Sequence, residues 1–84
     1  MNEKNRLLKL TITRVDGPVF DGEVISVAVP GVAGDMQLLA GHESIISPLK
    51  NGEVRIKKAD GTTESFPLTT GTLEVSHNHA TILV

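Results

Sequence analysis

The stretch GEVISVAVPG, residues 22–31, decides the fold of this 84-residue chain. Its side chains alternate between two faces with period two, which is typical of a β-strand. The two faces carry Ile25, Val27 and Val29 on one side and Val24, Ser26 and Ala28 on the other. Because both faces are largely apolar, the strand is predicted to lie in the centre of a sheet. Pro30 and Gly31 end it, since this dipeptide favours a turn.

Shorter segments with the same alternation lie on both sides of this strand. Their predicted inward residues are Leu8, Leu10 and Ile12 near the start and Leu73 and Val75 near the end. The turn signals between segments are DGP (16–18), ADGTT (59–63), TTGT (69–72) and HNH (77–79). No segment shows sustained 3.6-residue periodicity, and turn signals recur about every 8–12 residues. The sequence therefore predicts an all-β domain, a sandwich or barrel.

One predicted hairpin can be specified further. A two-residue turn at Asp60-Gly61 would mix the faces of the strands 52–58 and 64–68. A three-residue loop, Ala59 to Gly61, instead places Val54 opposite Phe66 and puts Gly61 in the left-handed region. The alternation favours the three-residue loop.

The composition of the sequence excludes several classes of function. The polar residues 1–6 are predicted to be a flexible segment before a single domain, 7–84. The chain has no cysteine and a formal charge of −2, so it offers no zinc–thiolate site and no overall attraction to nucleic acid. Its two aromatic residues, Phe20 and Phe66, are too few for a base-stacking face. No apolar run reaches the ~18–20 residues of a membrane span, and no signal peptide is indicated, so a soluble chain is expected.

After the start of the segment PGVAGDMQLLAGHESI (30–45), residues 31–48 are predicted to be a long turning loop with short extended pieces at 36–39 and 43–47. The spacing of Gly31, Gly34 and Gly41 matches neither phosphate-binding glycine motif, and no helix follows. These glycines are therefore interpreted as turn formers.

The histidines raise the question of metal binding or catalysis. His77 and His79 could share a strand face, but Asn78 between them indicates a hairpin tip and no third ligand lies nearby. Two solvated turn histidines are the favoured interpretation. His42 has Ser44 and Ser47 as nominal nucleophiles, yet no G-x-S-x-G elbow is present.

A local basic cluster completes the candidates. Its members are Lys50, Arg55, Lys57 and Lys58, on the exposed face of one predicted hairpin. A solvated strand face is the favoured interpretation, and contact with an acidic partner is the alternative.

The order of the motifs adds a family resemblance. VFDGEVISVAVPGVAGDMQLLAGHESIISPLKNGEVRI, followed by a phenylalanine and then TGTLEVSHNHATIL, closely resembles the N-terminal domain of the epsilon subunit of F-type ATP synthases. The residues that fall on the family pattern are Phe20, Gly22, Glu23, Val24, Pro30, Gly31, Gly34, Gly41, His42, Leu49, Gly52, Val54, Ile56, Phe66, Gly71, Leu73, Glu74, Val75, Asn78, Thr81 and Leu83. The match is collinear over residues 8–84 and implies a flattened β-sandwich of about 8–10 short, mostly antiparallel strands.

The sequence also departs from the family pattern. Asp35 stands where glutamate is usual, and Thr13-Arg14 where Thr-Pro is frequent. Gln37, Ala40 and Thr72 replace residues that are commonly glycine, proline and glycine. The family usually continues into a C-terminal helical hairpin that can inhibit ATP hydrolysis. That hairpin is absent from these 84 residues, so inhibition by it is not predicted for this chain, whether it is a short member or one domain of a longer protein.

The resemblance implies a non-catalytic rotor part of the central stalk, with no catalytic residue, cofactor or metal. The implied docking loop for the ring of c subunits comprises Gly31, Gly34, Asp35, Met36 and Gly41. The implied contacts with the gamma subunit are Arg14, His42 and Ser47. The expected location is peripheral, at the cytoplasmic face of the cell membrane or its organellar equivalent, without membrane insertion. A generic β-sandwich adaptor and a small hydrolase or metal protein remain as alternatives.

Overall fold

The computed structural model describes residues 6–84, which form eight β-strands and no helix. The strands are β1 (Leu8–Arg14), β2 (Gly17–Gly31), β3 (Gly34–Leu39), β4 (Ile45–Leu49), β5 (Gly52–Lys58), β6 (Thr63–Leu68), β7 (Gly71–Ser76) and β8 (His79–Leu83). The prediction of an all-β domain is confirmed. The predicted flexible segment 1–6 lies outside the described residues except for Arg6. No helix within 6–84 is long and apolar enough to cross a membrane.

The fifteen-residue strand β2 connects two layers of strands. Its first half pairs with β1, from Gly17 opposite Arg14 to Val24 opposite Leu8. Its second half pairs with β3 on one edge and with β5 on the other. One layer therefore runs β2–β1–β8–β7–β4 and the other runs β3–β2–β5–β6. The β1–β8 pair is parallel, whereas the other pairs are antiparallel.

A bulge in β2 corrects one prediction from the sequence. The register against β5 shifts between Val24 and Ser26, so one extra residue enters β2 there. Val24 consequently shares the core with Val27 and Val29, whereas Ile25 is only half-buried. The sequence pattern assigned Ile25 to the same face as Val27 and Val29, because a strict alternation of faces takes no account of an inserted residue.

The core lies between the two layers as one cluster. Its fifteen buried apolar residues come from every strand of the fold and are Leu8, Leu10, Ile12, Val24, Val27, Val29, Leu38, Leu49, Val54, Ile56, Leu68, Leu73, Val75, Ala80 and Ile82. Full burial of an aliphatic side chain of this size stabilises the fold by roughly 1.5–3 kcal/mol. The five inward residues predicted near the two ends of the chain all belong to this cluster.

The β5–β6 hairpin has the predicted loop. The Lys58 amide donates to the Thr62 carbonyl over 2.8 Å, and the Gly61 amide donates to the Lys58 carbonyl over 2.9 Å. These bonds enclose the three residues Ala59 to Gly61. Gly61 has φ +91°, and Val54 lies opposite Phe66.

Asp60 stabilises this loop more strongly when its carboxylate is charged. Both the hydroxyl and the amide of Thr62 donate to Asp60 Oδ1, over 2.6 and 2.9 Å, and these bonds lower the pKa of Asp60 below its ordinary value. A lowered pKa in the folded state adds stability at neutral pH that is lost as the pH falls through that pKa. Asp60→Ala should therefore lower the melting temperature at about pH 6 and lose that effect once the pH has fallen below the lowered pKa of Asp60. Equal shifts at both pH values would contradict this role.

Candidate functional site

The predicted docking loop begins as a β-hairpin rather than as a long irregular loop. Gly31 ends β2 and lies opposite Gly34, the first residue of β3, across the two-residue turn Val32-Ala33. The extended piece predicted at 36–39 is part of β3. Val32 keeps 57% of its surface exposed at the tip of the hairpin. The hairpin therefore presents an apolar side chain to solvent on an ordered support.

Backbone hydrogen bonds fix this hairpin to β4. The Val32 amide donates to the Pro48 carbonyl over 3.1 Å, and the Lys50 amide donates to the Pro30 carbonyl over 2.9 Å. Gly31 also lies opposite Leu49. These bonds join the β2 side of the hairpin to the β4 side, so they restrain the tip relative to the sandwich.

Asp35 and Met36 follow the turn with different environments. Asp35 is exposed, lies opposite Pro30 and makes no ion pair within the described part of the chain. It lines an open 380 Å³ cavity on the outer surface together with Lys50 and Arg55. Met36 is half-buried and packs against the core, so it supports the hairpin more than it presents a contact.

Gly41 lies away from the other members of the predicted docking set. It follows β3, whose six residues span about 17–20 Å, so it lies at the opposite end of that strand from Gly34. Gly41 has φ +82°, and a Cβ built on it would lie 2.7 Å from an Arg6 guanidinium nitrogen. The structure thus brings four predicted docking residues together and separates Gly41 from them.

Asn78 holds the turn that contains Gly41, a role that the sequence did not reveal. Its Oδ1 accepts from the Gly41 amide over 2.8 Å, and its Nδ2 donates to the Leu7 carbonyl over 2.8 Å. Asn78 and His77 form the two-residue turn before β8, with φ of 60° and 52°. Asparagine at such a turn is a recognisable hairpin signal. Its side-chain partners, 37 and 71 residues away, could not be read from local sequence.

The predicted gamma-contact residues extend along the molecule. Arg14 ends β1, next to the turn 15–16, and its guanidinium carbon lies 5.9 Å from the centre of the Phe66 ring. Ser47 lies within β4 opposite Leu73 and is half-buried. His42 lies beyond β3, where its Nδ1 donates to the Glu43 carbonyl over 2.7 Å. The three residues lie on three different parts of the fold, and no hydrogen bond joins any two of them in the described range 6–84.

The other two histidines differ from each other. His77 is exposed in the turn, as predicted. His79 lies in β8, is half-buried, and its Nε2 is 2.9 Å from the Thr11 hydroxyl, which donates to Asp21 over 3.1 Å. Since the hydroxyl proton goes to Asp21, His79 Nε2 is the donor to Thr11. The prediction of a solvated turn is therefore wrong for His79, because β8 begins directly after the two-residue turn.

No cluster of three or more histidine and acidic side chains suited to a metal occurs among residues 6–84.

The basic cluster is partly neutralised within its own hairpin. Arg55 lies 3.5 Å from Glu53, and Lys58 lies 3.4 Å from Glu64. These exposed ion pairs contribute only about 0–1 kcal/mol each, and they favour the solvated interpretation of the cluster.

Asn78→Ala is expected to destabilise the domain by about 1–2 kcal/mol, because two hydrogen bonds are lost and alanine disfavours positive φ. Amide hydrogen exchange at residues 40–44 should accelerate. His77→Asn is the matched control, since asparagine accepts positive φ in the same turn and should leave stability unchanged. Unchanged exchange at 40–44 in the Asn78→Ala variant would show that another contact holds this turn.

Comparison with known proteins identifies the class of this sandwich. The β-sandwich domain family of the ATP synthase delta/epsilon chain matches residues 7–84. The chain therefore belongs to this family. The fold is similar to a chain in the cryo-EM structure of the Euglena gracilis mitochondrial ATP synthase, OSCP/F1/c-ring in rotational state 1. There the TM-score is 0.87 at 24% identity, over 93% of this chain and 50% of that chain.

Curated relatives carry the name ATP synthase epsilon chain. The chain is 40% identical to that of Latilactobacillus sakei over 99% of its own length, and 42% identical to that of Bacillus subtilis over 93%. It covers 59% and 58% of these two relatives, so it spans about three-fifths of their length. The epsilon chain of Chlorobium limicola is 37% identical, and 94% of that relative is covered.

Proposed function

We propose that this chain is a non-catalytic central-stalk subunit, of epsilon type, in an F-type ATP synthase. Residues 7–84 act as one docking domain between the gamma subunit and the c ring, and so help to couple ion flow to ATP synthesis. The observation that carries the proposal is the family match over residues 7–84. The proposed location is peripheral, at the cytoplasmic face of the membrane or the equivalent organellar side.

The geometry supports a mechanical role. A rotor joint that must not slip needs a broad interface, at or above the ~1,200–2,000 Å² of a standard specific complex. The domain is elongated, with principal extents of 37, 22 and 19 Å, and thus offers a long side surface. At one end the β2–β3 hairpin presents Val32 and Asp35 on an attachment bonded to β4. Val32 is suited to the apolar centre of a ring contact, and Asp35 to its charged rim.

Calorimetric titration of the chain into purified gamma subunit from the same source tests the proposal. We expect a saturable one-to-one complex that survives moderate salt, because an interface of this size is held mainly by its apolar centre. Absence of binding by the folded chain would overturn the stalk assignment and favour the adaptor alternative.

A further inference from the structure

The two residues Lys50 and Asn51 connect β4 to β5, and Gly52 follows as the first residue of β5. Asn51 is exposed and lines the open 380 Å³ cavity on the outer surface, so water reaches its side chain. Of the four asparagines in the sequence, Asn51 alone precedes a glycine. Since glycine has no side chain, its amide nitrogen can approach the preceding side chain without steric hindrance. The connection therefore joins an electrophilic side-chain amide to an unhindered backbone nitrogen.

Close packing favours glycine at position 52. A Cβ built on Gly52 would lie 3.0 Å from Pro30 Cβ and 3.1 Å from Pro30 Cγ, closer than ordinary van der Waals contact. Pro30 is buried and its ring is rigid, so it does not yield easily. Gly52 also lies opposite Leu68 in the first pair of the β5–β6 ladder, and the end of a ladder opens most readily. The fold thus keeps an unhindered nitrogen next to Asn51, at a place where the backbone can open locally.

We propose that Asn51 is a site of spontaneous deamidation, in which the Gly52 nitrogen attacks the side-chain amide of Asn51. The new bond joins the Gly52 nitrogen to Asn51 Cγ and closes a cyclic imide. The Gly52 N–H proton leaves with the side-chain nitrogen of Asn51 as ammonia. Water, the only other reactant, then opens the imide at one of its two carbonyls. Opening at the side-chain carbonyl gives aspartate, and opening at the backbone carbonyl gives isoaspartate.

The isoaspartyl product alters the support of the β2–β3 hairpin. In this product the backbone between positions 51 and 52 runs through the side-chain carbons and gains one methylene group. The preceding residue, Lys50, donates its amide proton to the Pro30 carbonyl over 2.9 Å and so holds the hairpin. Because a longer connection displaces the residues that it joins, this bond is weakened. Both products also add a negative charge to the cavity, whose charged lining residues are two acids and two bases.

Asn78 is the internal control for the reaction. Its Oδ1 and Nδ2 are both hydrogen-bonded, and His79 follows it in the sequence. These two bonds must break first and the histidine side chain hinders attack, so Asn78 should deamidate at least about tenfold more slowly than Asn51. Incubation of the chain at mildly alkaline pH, followed by peptide mapping with mass spectrometry, measures both rates. Conversion of Asn51 that is less than about tenfold faster than that of Asn78 would overturn the proposal.

Asn51→Gln tests the route through the imide. The longer side chain would have to close a larger ring, which forms much more slowly, so the variant should yield no acid at position 51 during the same incubation. Since Asn51 is exposed, the variant should keep the melting temperature of the wild type. Isoaspartate and aspartate peptides separate on the map, and both should appear in the wild type. Equal conversion of the variant and the wild type would show that attack by the Gly52 nitrogen is not the cause.

Amide hydrogen exchange separates the effect of the linkage from that of the charge. In the isoaspartyl chain the Lys50 amide should exchange at least about fivefold faster than in the fresh chain, as expected when one hydrogen bond is lost. Asn51→Asp carries the new charge on a normal backbone and should keep the exchange of the fresh chain. Unchanged exchange in the isoaspartyl chain would overturn the effect on the hairpin. These measurements use the chain alone, so their failure leaves the proposed function untouched.

Discussion

Replacing Gly31 with alanine should lower the free energy of unfolding by about 2–3 kcal/mol, a typical cost of overpacking a filled site. Gly31 is buried at the end of β2. An added Cβ would lie 2.5 Å from the Gly34 carbonyl oxygen and 3.0 Å from Met36 Cε. The nearer atom belongs to the backbone of the opposing strand, so the hairpin itself must shift. Urea unfolding of wild type and variant measures the loss.

The matched control for this substitution lies in the same strand. An added Cβ at Gly22 would have its closest approach at 3.6 Å, to a Phe20 ring carbon, which is ordinary van der Waals contact. Gly22→Ala should therefore leave stability unchanged or raise it slightly, since alanine reduces the freedom of the unfolded chain. Equal destabilisation by Gly22→Ala and Gly31→Ala would mean that packing at the hairpin is not the cause.

Reversing the charge of Asp35 should weaken docking on the c ring at least about tenfold, since a like charge placed against a complementary site costs several kcal/mol. Asp35 is exposed beside the hairpin tip, so Asp35→Lys should keep the melting temperature of the wild type. In an assembled complex, ATP-driven ion pumping should fall while ATP hydrolysis continues. Pumping assays on reconstituted vesicles measure both.

Glu64→Lys is the matched charge reversal. Glu64 is also exposed, but it lies in β6 next to the β5–β6 loop and pairs with Lys58. The control should leave coupling intact and lose only one exposed ion pair, worth about 0–1 kcal/mol. Fully coupled pumping by the Asp35→Lys assembly would show that this carboxylate does not hold the ring.

The sequence predicted the parts of the fold that depend on local patterns. The alternation of Leu8, Leu10 and Ile12 predicted the inward face of β1. The requirement that the apolar faces of β5 and β6 match predicted the three-residue loop that ends at Gly61. The bulge beside Ile25 was missed because an inserted residue leaves no trace in composition or alternation. The hairpin of β2 and β3 was taken for a longer loop because its strand residues include glycine and exposed polar side chains.

The candidate site was predictable only as far as the family motif extends. The collinear motifs gave the family positions at which Asp35 and Arg14 stand, but not which residues meet in space. Gly41 belongs to the same motif as Gly34 yet lies at the far end of β3. The bonds of Asn78 and the placement of Arg14 over Phe66 join strands distant in sequence. Local sequence patterns carry no signal for contacts between residues so far apart along the chain.

Single-cysteine cross-linking in the assembled complex tests the central claim, docking on the ring and the gamma subunit, most directly. The chain has no cysteine, so one introduced thiol reports one position. Val32→Cys at the hairpin tip should cross-link to a c subunit, and Ser47→Cys on β4 to the gamma subunit. Ala59→Cys, in the exposed loop at the far end of β5, should cross-link to no c subunit. Cross-linking to the ring by Ala59→Cys but not by Val32→Cys would contradict the proposed orientation. If neither Val32→Cys nor Ser47→Cys gave a cross-linked product, the docking role itself would be contradicted.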